Sequence, residues 1–437
     1  MGQGGSGLPE VLSRVADGEF GIGIYAAYLP TLGGGENLLA VLAQCLEQEI
    51  PAAQIDLITH ATSDITLEPV TERFGVDLRR TRIRRLEIRE RAHLRRFQTL
   101  RRLLHERDIA RASAEYDLFV NGTIFSLVPP RSPLSLYMCM FPINPLPPAY
   151  AAATGFRRWR NALYLFARRH AIRHRLGRYD KLLSISEFTR SWIRVFWQLD
   201  AQVLHPPVDT ASMVNLDLKR KRILAIGRFF PADHNKKHDV LIEVFRRLLG
   251  DGLEPGWELH LVGGRTTAAG TDEYIDKLKE MARGFPIHLH IDAKRSVLQQ
   301  LLVTSSIFWH ATGYGEDERK DPYRLEHFGM STVEAMSHGC VPVVYAAGGQ
   351  PEVVEDGVSG YLWRDRATLI ARTLTLAHNP SHREELAGAA HLRSRRFDRA
   401  TFSERVREIL LDLCPTRIRP LPSAAPPLKT VATAEQS

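Results

Sequence analysis

The sequence lacks any apolar run of about 18 residues, the length a membrane-spanning helix needs. Residues 1–19 contain no basic stretch followed by an apolar one, so we expect no secretory signal there. Only four of the 437 residues are cysteines, and no two of them have the spacing of metal ligands. We therefore expect reduced thiols inside a cytoplasmic protein, at Cys45, Cys139, Cys340 and Cys414.

The composition, 44% hydrophobic and 25% charged, is that of a globular protein, and the length predicts two or three domains. The net charge of +8 is unevenly distributed. Residues 1–205 carry 27 basic and 20 acidic residues, whereas residues 206–437 carry 31 and 30. A basic first half favours an anionic partner, which could be a nucleic acid, a phosphate ligand or an acidic membrane.

Short apolar runs alternate with segments of helical periodicity in two series, separated by the linker-like residues His205–Asp209. Repeated strand–helix units predict an α/β protein with two doubly wound domains, whose ligands bind beyond the carboxyl ends of the strands. The predicted segments are a disordered N-terminus at 1–18, a first domain at 19–205, a second domain at 206–396, a helix at 397–414 that could return to the first domain, and a disordered tail at 415–437.

A glycine-rich turn, Gly33–Gly35, directly follows the first predicted strand and opens a helix. Glycine lets backbone N–H groups approach a ligand, and a helix N-terminus attracts phosphate. The residues alone equally allow a tight turn without a ligand.

A second candidate combines Gly227-Arg228, at the end of a strand, with Lys236-Lys237 at the start of the next helix. Two cations at one crossover suit a diphosphate, because they stabilise charge that accumulates on a departing phosphate. The alternative is a solvated basic loop.

The third candidate is the segment from Glu326 to Glu334, in which seven residues separate two carboxylates. Ser331 or Thr332 could cap the helix that carries Glu334 in its first turn, and Gly329 and Met330 would present N–H groups there. The two carboxylates could accept hydrogen bonds from different hydroxyl groups of one ligand. A capped helix with two surface glutamates is the alternative.

Together these segments resemble the retaining glycosyltransferases of family 4, which have the GT-B fold of two Rossmann-like domains facing a central cleft. The resemblance covers the carboxyl half, including residues 326–344 and 348–363. In the amino half it is mainly confined to the first 50 residues and to KLLSISEFTRSWI at 181–193. Within the family, GGGE, HPPVD and EHFG are most similar to mannosyltransferases that extend lipid-linked oligosaccharides.

The resemblance implies roles for individual residues. Arg228 and Lys237 would hold the donor diphosphate and stabilise it as the leaving group, with Lys236 as the substitute if the register slips by one residue. Glu326 would face the transferred sugar, and Glu334 would bind the ribose hydroxyls. The remaining implied donor contacts are Gly34 and Gly35 to phosphates, Gly263 to the base, and Gly329, Met330 and Ser331 to sugar and phosphate.

The implied reaction transfers a sugar from a GDP- or UDP-sugar to a hydroxyl of a saccharide or lipid-linked acceptor, with the anomeric configuration retained. The departing phosphate would help to deprotonate the acceptor on the same face of the sugar. No metal or other cofactor is expected, since the sequence has no Asp-x-Asp motif and fixed cations can stabilise the leaving group. The alternatives are a sugar-nucleotide epimerase or a phosphorylase of the same fold, or a non-enzymatic anion- or nucleic-acid-binding protein.

Two features depart from the resembling mannosyltransferases. Met140 stands where they carry a histidine before an aromatic-Pro pair, which leaves the donor sugar and acceptor open. The insertion 315–321 is expected to form a loop over the donor pocket.

Arginine is concentrated in two segments of the amino half, with twelve at 79–107 and eight at 156–178. Both could be basic amphipathic helices that lie on the inner face of the cell membrane, or they could pack on their own domain. Because no nucleic-acid-binding signature accompanies the charge, we expect no nucleic acid partner.

Overall fold

The computed structural model of the chain describes residues 20–60, 64–86, 98–146, 155–232 and 234–413. The expectations for residues 1–18 and 415–437, and for Cys414, lie outside these ranges. The three cysteines within them, Cys45, Cys139 and Cys340, are buried free thiols.

The first sheet has seven parallel strands in the order β3-β2-β1-β4-β5-β6-β7. Its inner strands are almost continuously apolar, as expected for a parallel sheet covered on both faces. The strands are β1 Phe20–Tyr25, β2 Ala53–His60, β3 Thr81–Leu86, β4 Leu118–Asn121, β5 Leu134–Cys139, β6 Lys181–Ser184 and β7 Gln202–Val203. The helices of this part of the chain are α1 Gly34–Glu49, α2 Leu67–Phe74, α3 Gln98–Ser113, α4 Gly155–Leu176 and α5 Glu187–Trp197.

The second sheet has six parallel strands in the order β10-β9-β8-β11-β12-β13. The strands are β8 Arg220–Ile226, β9 Glu258–Gly263, β10 Ile287–Ile291, β11 Ser305–His310, β12 Val341–Tyr345 and β13 Tyr361–Trp363. The helices are α6 His238–Gly250, α7 Thr271–Ala282, α8 Arg295–Thr304, α9 Met330–Ser337, α10 Gln350–Val353, α11 Arg366–His378, α12 Pro380–Ser394 and α13 Arg399–Leu413.

Strand order reverses between β1 and β4 in the first sheet and between β8 and β11 in the second. Ligands of doubly wound sheets bind at such reversals, outside the carboxyl ends of the strands. The chain segments that follow β1, β8 and β11 are therefore the places to search for a site. They contain the glycine turn, the two lysines and the first of the paired glutamates.

The last described helix, α13, packs against α1 rather than against the second sheet. Arg407 forms an ion pair with Glu49 at 3.1 Å, and Cys45 Sγ lies 3.0 Å from Ser403 Oγ. Phe402 and other apolar residues of α13 are buried in the same core as the apolar face of α1. The end of the described chain thus contributes to the core of the first domain.

The hypothesis that residues 79–107 form a basic amphipathic helix is wrong for Thr81–Leu86, which form the edge strand β3. Arg82 pairs with Asp56 at 2.6 Å, and Arg84 pairs with Glu115 at 2.6 Å. Arginines at an edge strand keep unpaired backbone groups from joining another sheet, which explains a strand with so little apolar content. The other segment, 156–178, falls largely on the helix α4.

Candidate functional site

Glu326 lies between β11 and α9, at the carboxyl ends of the second sheet's strands. Its Oε2 accepts hydrogen bonds from Lys236 Nζ at 2.6 Å and from His310 Nε2 at 2.9 Å. Burial would raise the pKa of Glu326, but the ammonium of Lys236 and the His310 hydrogen bond hold it well below its usual range. Glu326 is therefore a fixed carboxylate anion whose position depends on two neighbours.

Gly227 leaves room for Lys236 to reach Glu326, and a second glycine, Gly263, lets the ends of two strands approach each other. A Cβ at Gly227 would lie 2.4 Å from Cγ of Lys236, so a larger residue would block the lysine side chain. A Cβ at Gly263 would lie 1.9 Å from the carbonyl oxygen of Gly227. The close approach of the ends of β8 and β9 thus requires glycine at Gly263, independently of the predicted contact with a nucleotide base.

Lys237 lies next to Lys236 but faces a different part of the site. Its backbone is left-handed, with φ of 54°, immediately before α6. Its Nζ pairs with Glu316 Oε1 at 2.6 Å, within the insertion 315–321. The structure thus places Lys236 beside Glu326 and directs Lys237 to the loop; the catalytic role predicted for Lys237 stays a prediction.

Arg228 follows β8 and is exposed, without an ion pair to any residue in the described ranges. Its charge contributes to the electrostatic environment of His234. Burial, with smaller contributions from His327 and Lys236, lowers the pKa of His234 to about 2. The His234 imidazole is therefore neutral, and the positive charge in contact with Glu326 is that of Lys236.

The helix α9 begins at Met330, with Gly329 as its N-cap at φ of 111°. The predicted cap by Ser331 or Thr332 is wrong, because both residues lie inside the first turn and no side chain caps the helix. A Cβ at Gly329 would lie 2.7 Å from Gln350 Nε2, so this position requires glycine for two reasons. The uncapped start of the helix leaves the N–H groups of Met330 and Ser331 for a ligand.

Glu334 is the fifth residue of α9, one position beyond the predicted first turn. Its carboxylate has no hydrogen bond or ion pair with any residue that the structure describes. Burial raises its pKa, and Asp209 adds to this, against the opposing charges of Arg295 and Arg73. A partly buried carboxylate without a partner in the described ranges suits a ligand that donates hydrogen bonds, such as a diol.

The glycine turn of the first domain faces the start of α9. A Cβ at Gly34 would lie 3.1 Å from Met330 Sδ, and a Cβ at Gly35 would lie 3.6 Å from Met140 Cε. Glu36 holds the turn by accepting a hydrogen bond from the Gly33 N–H at 3.0 Å. The structure thus brings predicted site residues of both domains together across the cleft. Met140, the departure from the resembling family, lies in the same place.

A second contact between the domains was not predicted. Ser186 Oγ donates to the carbonyl oxygen of His327 at 2.6 Å, and the Phe141 ring stacks on His327 at 4.2 Å. The carboxylate of Glu352 accepts hydrogen bonds from the backbone N–H groups of Glu187 and Phe188, each at 2.7 Å. Both segments contain motifs of the resembling family, but sequence spacing gave no sign that they touch.

Comparison with solved structures confirms the predicted GT-B fold. Anabaena HepE, in complex with UDP and glucose, has a TM-score of 0.61 at 17% identity, covering 90% of this chain and 99% of that chain. Sucrose-phosphate synthase from Thermosynechococcus elongatus has a TM-score of 0.62 at 15% identity, with 90% and 99% covered. The protein has the architecture of GT-B glycosyltransferases.

Residues 211–393 match the family described as Glycosyl transferases group 1, so the second half of the chain contains a domain of that family. A Dictyostelium discoideum protein named GDP-Man:Man(3)GlcNAc(2)-PP-Dol alpha-1,2-mannosyltransferase is 27% identical over 208 residues, 43% of this chain and 38% of its own length. Glycogen synthase of Xanthomonas campestris pv. campestris is 26% identical over 172 residues, 38% of this chain and 32% of its own length.

These alignments span well under two thirds of either curated relative, so they support the domain rather than a shared substrate. Within the described ranges, the structure contains no helix with the length and apolar character needed to cross a bilayer.

Proposed function

We propose that the protein is a retaining glycosyltransferase that moves a sugar from a GDP- or UDP-sugar to a hydroxyl of a saccharide or lipid-linked acceptor. We further propose that the transfer needs no metal ion. One observation carries the proposal: a partly buried carboxylate, Glu326, is held between Lys236 and His310 at the strand ends of the group 1 domain. The uncapped start of α9 and the glycine turn at Gly34 lie opposite each other in the same cleft.

Two cations would bind the donor diphosphate. Arg228 is exposed and without an ion pair in the described ranges, so it can donate hydrogen bonds to phosphate oxygens without breaking an existing ion pair. Lys236 would exchange part of its contact with Glu326 for the phosphates. Since the negative charge on the diphosphate grows as the sugar departs, both cations would stabilise the transition state more than the bound donor. In this proposal Lys236, rather than Lys237, acts on the leaving group.

Glu326 would then stay in position through His310. The imidazole is buried, and its donation from Nε2 to Glu326 places the proton on that nitrogen. Burial lowers the pKa of His310, so the ring is neutral at pH 7 and orients the carboxylate without adding charge. The carboxylate would face the sugar that is transferred and stabilise positive charge developing there.

Glu334 and the start of α9 would bind the rest of the donor. The carboxylate of Glu334 can accept hydrogen bonds from both hydroxyls of a ribose. The N–H groups of Met330 and Ser331 can donate to sugar or phosphate oxygens. Gly34 and Gly35 would approach the donor phosphates from the first domain. The site thereby uses backbone groups on both sides of the cleft and charged side chains mainly on one.

Identification of the donor can start from the names of the relatives. The Dictyostelium relative is named for GDP-mannose, and HepE was solved with UDP and glucose. We expect a guanosine or uridine diphosphate to raise the melting temperature of the full chain in a thermal-shift screen of GDP, UDP and ADP. The best nucleotide is then tested as its sugar, with and without EDTA, and the anomeric configuration of the product is read by NMR.

The results separate the alternatives. Release of nucleoside diphosphate that depends on an acceptor, unaffected by EDTA and with a retained anomer, supports the proposal. A changed sugar epimer without an acceptor indicates an epimerase. Cleavage of a glycoside by inorganic phosphate, with release of a sugar 1-phosphate, indicates a phosphorylase. Salt-dependent DNA binding without any nucleotide-sugar effect indicates the nucleic-acid alternative.

We also propose peripheral association with an anionic membrane through α4. Trp159, Leu163 and Phe166 are 64%, 55% and 71% exposed and share one helical face. The exposed arginines Arg158 and Arg160 lie on either flank of that face. This pattern is typical of helices that lie at a membrane interface.

The membrane proposal predicts that the full chain sediments with vesicles containing anionic lipid and much less with neutral vesicles. Replacing Leu163 and Phe166 by Ser should reduce sedimentation several-fold, because part of the inserted apolar face is lost. Met213→Ser is a matched control, since Met213 is 85% exposed and lies outside α4. Equal binding to neutral and anionic vesicles would contradict the proposal.

A further inference from the structure

Four ionisable side chains lie on one face of the second sheet near its edge, apart from Glu326 and Lys236. Glu258 and His260 belong to β9, and His288 and His290 belong to β10. The two strands are parallel, with His260 directly opposite His288. Because alternate residues of a strand share a face, the register places all four side chains together.

Three of these residues bring potential ligand atoms into one small region. One ligand atom each from Glu258, His260 and His288 lie within 4.8 Å of one another. His260 Nε2 lies 3.1 Å from Glu258 Oε2, and the His260 and His288 rings are 4.8 Å apart between centroids. His260 is buried whereas His288 is exposed, so the cluster opens to solvent on one side.

The fourth residue, His290, is placed to orient His260. Its Nε2 lies 3.0 Å from His260 Nδ1, the nitrogen that does not face Glu258. Metal-bound histidines commonly donate their second ring N–H to such a partner, which fixes the ring and the tautomer.

We propose that Glu258, His260 and His288 bind one divalent transition-metal ion, with Zn²⁺ as the ligand to test, and that His290 positions His260. Two imidazoles and a carboxylate are a donor set that zinc accepts, with water completing the coordination. The site would link β9 to β10 at the edge of the sheet and thereby stabilise the domain. It is independent of the proposed sugar transfer, which uses none of these residues.

Arg222 competes with a metal ion for one of the proposed ligands, Glu258. Its Nε donates to Glu258 Oε2 at 2.9 Å, so in the ion-free state the guanidinium compensates the carboxylate. A bound cation would compete with this contact, because both interact with the same carboxylate. Removing the guanidinium should therefore strengthen zinc binding rather than weaken it, an outcome that a merely structural cluster does not predict.

The experiment measures Zn²⁺ binding to the metal-free, untagged full chain by calorimetry and by the melting temperature. We expect one saturable site whose affinity falls about tenfold or more in His288→Gln and in Glu258→Gln. Arg222→Gln should bind Zn²⁺ more tightly than the unmodified chain. His174→Gln is the matched control, since His174 is an exposed histidine of α4, away from the cluster.

His288 is exposed, so its substitution should leave the fold intact, and a normal melting temperature of the zinc-free variant verifies this. Zinc should raise the melting temperature of the unmodified chain and of His174→Gln but not that of His288→Gln. The proposal is overturned if no saturable Zn²⁺ binding occurs. It is equally overturned if His288→Gln and His174→Gln bind zinc alike.

Discussion

The two domains have the same parallel architecture but present different chemistry to the cleft. The second domain contributes charged side chains, Arg228, Lys236, Glu326 and Glu334, at the ends of β8 and β11 and on α9. The first domain contributes backbone and sulfur, through Gly34, Gly35 and Met140. Charged side chains thus lie at the strand ends of the second sheet. Uncharged residues lie at those of the first sheet and leave room for a ligand.

This difference explains why net charge does not locate the site. The basic excess lies in residues 1–205, yet the cations nearest Glu326 belong to the almost neutral second half. Arginines of the first half are partly used at the edge strand β3 and partly exposed on α4. If the proposed function is correct, substitutions in the second domain should affect chemistry, and those in the first should affect access and positioning.

The largest expected effect is that of Glu326→Gln. Removing the carboxylate charge should lower kcat by about 10²-fold or more, because the charge is needed mainly in the transition state. Affinity for the nucleoside diphosphate should change little. Steady-state kinetics and calorimetry measure the two quantities, with the exposed Glu318→Gln as control. Wild-type turnover in Glu326→Gln would remove this residue from the site.

The two adjacent lysines give the next largest contrast. Lys236→Ala should lower kcat/KM by about 10²-fold, because its ammonium contacts Glu326 and would move to the diphosphate. Lys237→Ala should cost only a few-fold, since Lys237 contacts Glu316 in the loop. The opposite ranking would return the leaving-group role to Lys237. A parallel Arg228→Ala variant should resemble Lys236→Ala.

Glu334→Gln should lower nucleotide affinity about tenfold and slow the chemical step less, because a ribose diol loses a charged acceptor.

The same change, Glu334→Gln, should raise the melting temperature at pH 7. Burial raises the pKa of Glu334, so the folded protein disfavours the anion relative to the unfolded chain. The stabilisation by Glu334→Gln should shrink as the pH falls, because Glu334 is then protonated in both the folded and the unfolded chain. Calorimetry with GDP or UDP and melting curves at several pH values check both.

The smallest effect should come from the first domain. Gly34→Ala would place a Cβ 3.1 Å from Met330 Sδ, close enough to displace a flexible methionine end. We expect a loss of about two- to fivefold in kcat/KM, through misplacement of the donor rather than loss of a charge. Met330→Ala should partly restore activity in the double variant, because it removes the atom that clashes. Additive losses would show that the two residues act separately.

Sequence reasoning predicted the two parallel sheets because alternating strand and helix periods persist along the chain. It missed β3, because four of the six residues of that strand are Arg or Thr and its few apolar residues also fit a helical period. It also assigned the donor diphosphate to Lys237, with Lys236 only as the substitute, and gave no sign that Lys236 contacts Glu326. The left-handed backbone at Lys237 turns the two side chains apart, and nothing in the spacing indicates this.

His310 was missed for a different reason. It ends the apolar strand β11, where a histidine is easily taken for a core residue, and its partner Glu326 lies beyond an insertion. The contact of Glu352 with α5 joins distant segments of the two domains, so no local pattern indicates it. Roles for Gly263, Ser331 and the other donor contacts stay predictions until a donor is bound.

The contact of Glu352 with α5 links the opening of the cleft to the loss of hydrogen bonds at the start of a helix. The helix α5 has its own N-cap, Ser186, whose hydroxyl accepts from the Thr189 N–H. The first two N–H groups of the helix donate instead to a carboxylate of the other domain. Parting of the domains therefore leaves two backbone donors of α5 without that acceptor. Amide hydrogen exchange at Glu187 and Phe188 would then report directly on how often the cleft opens.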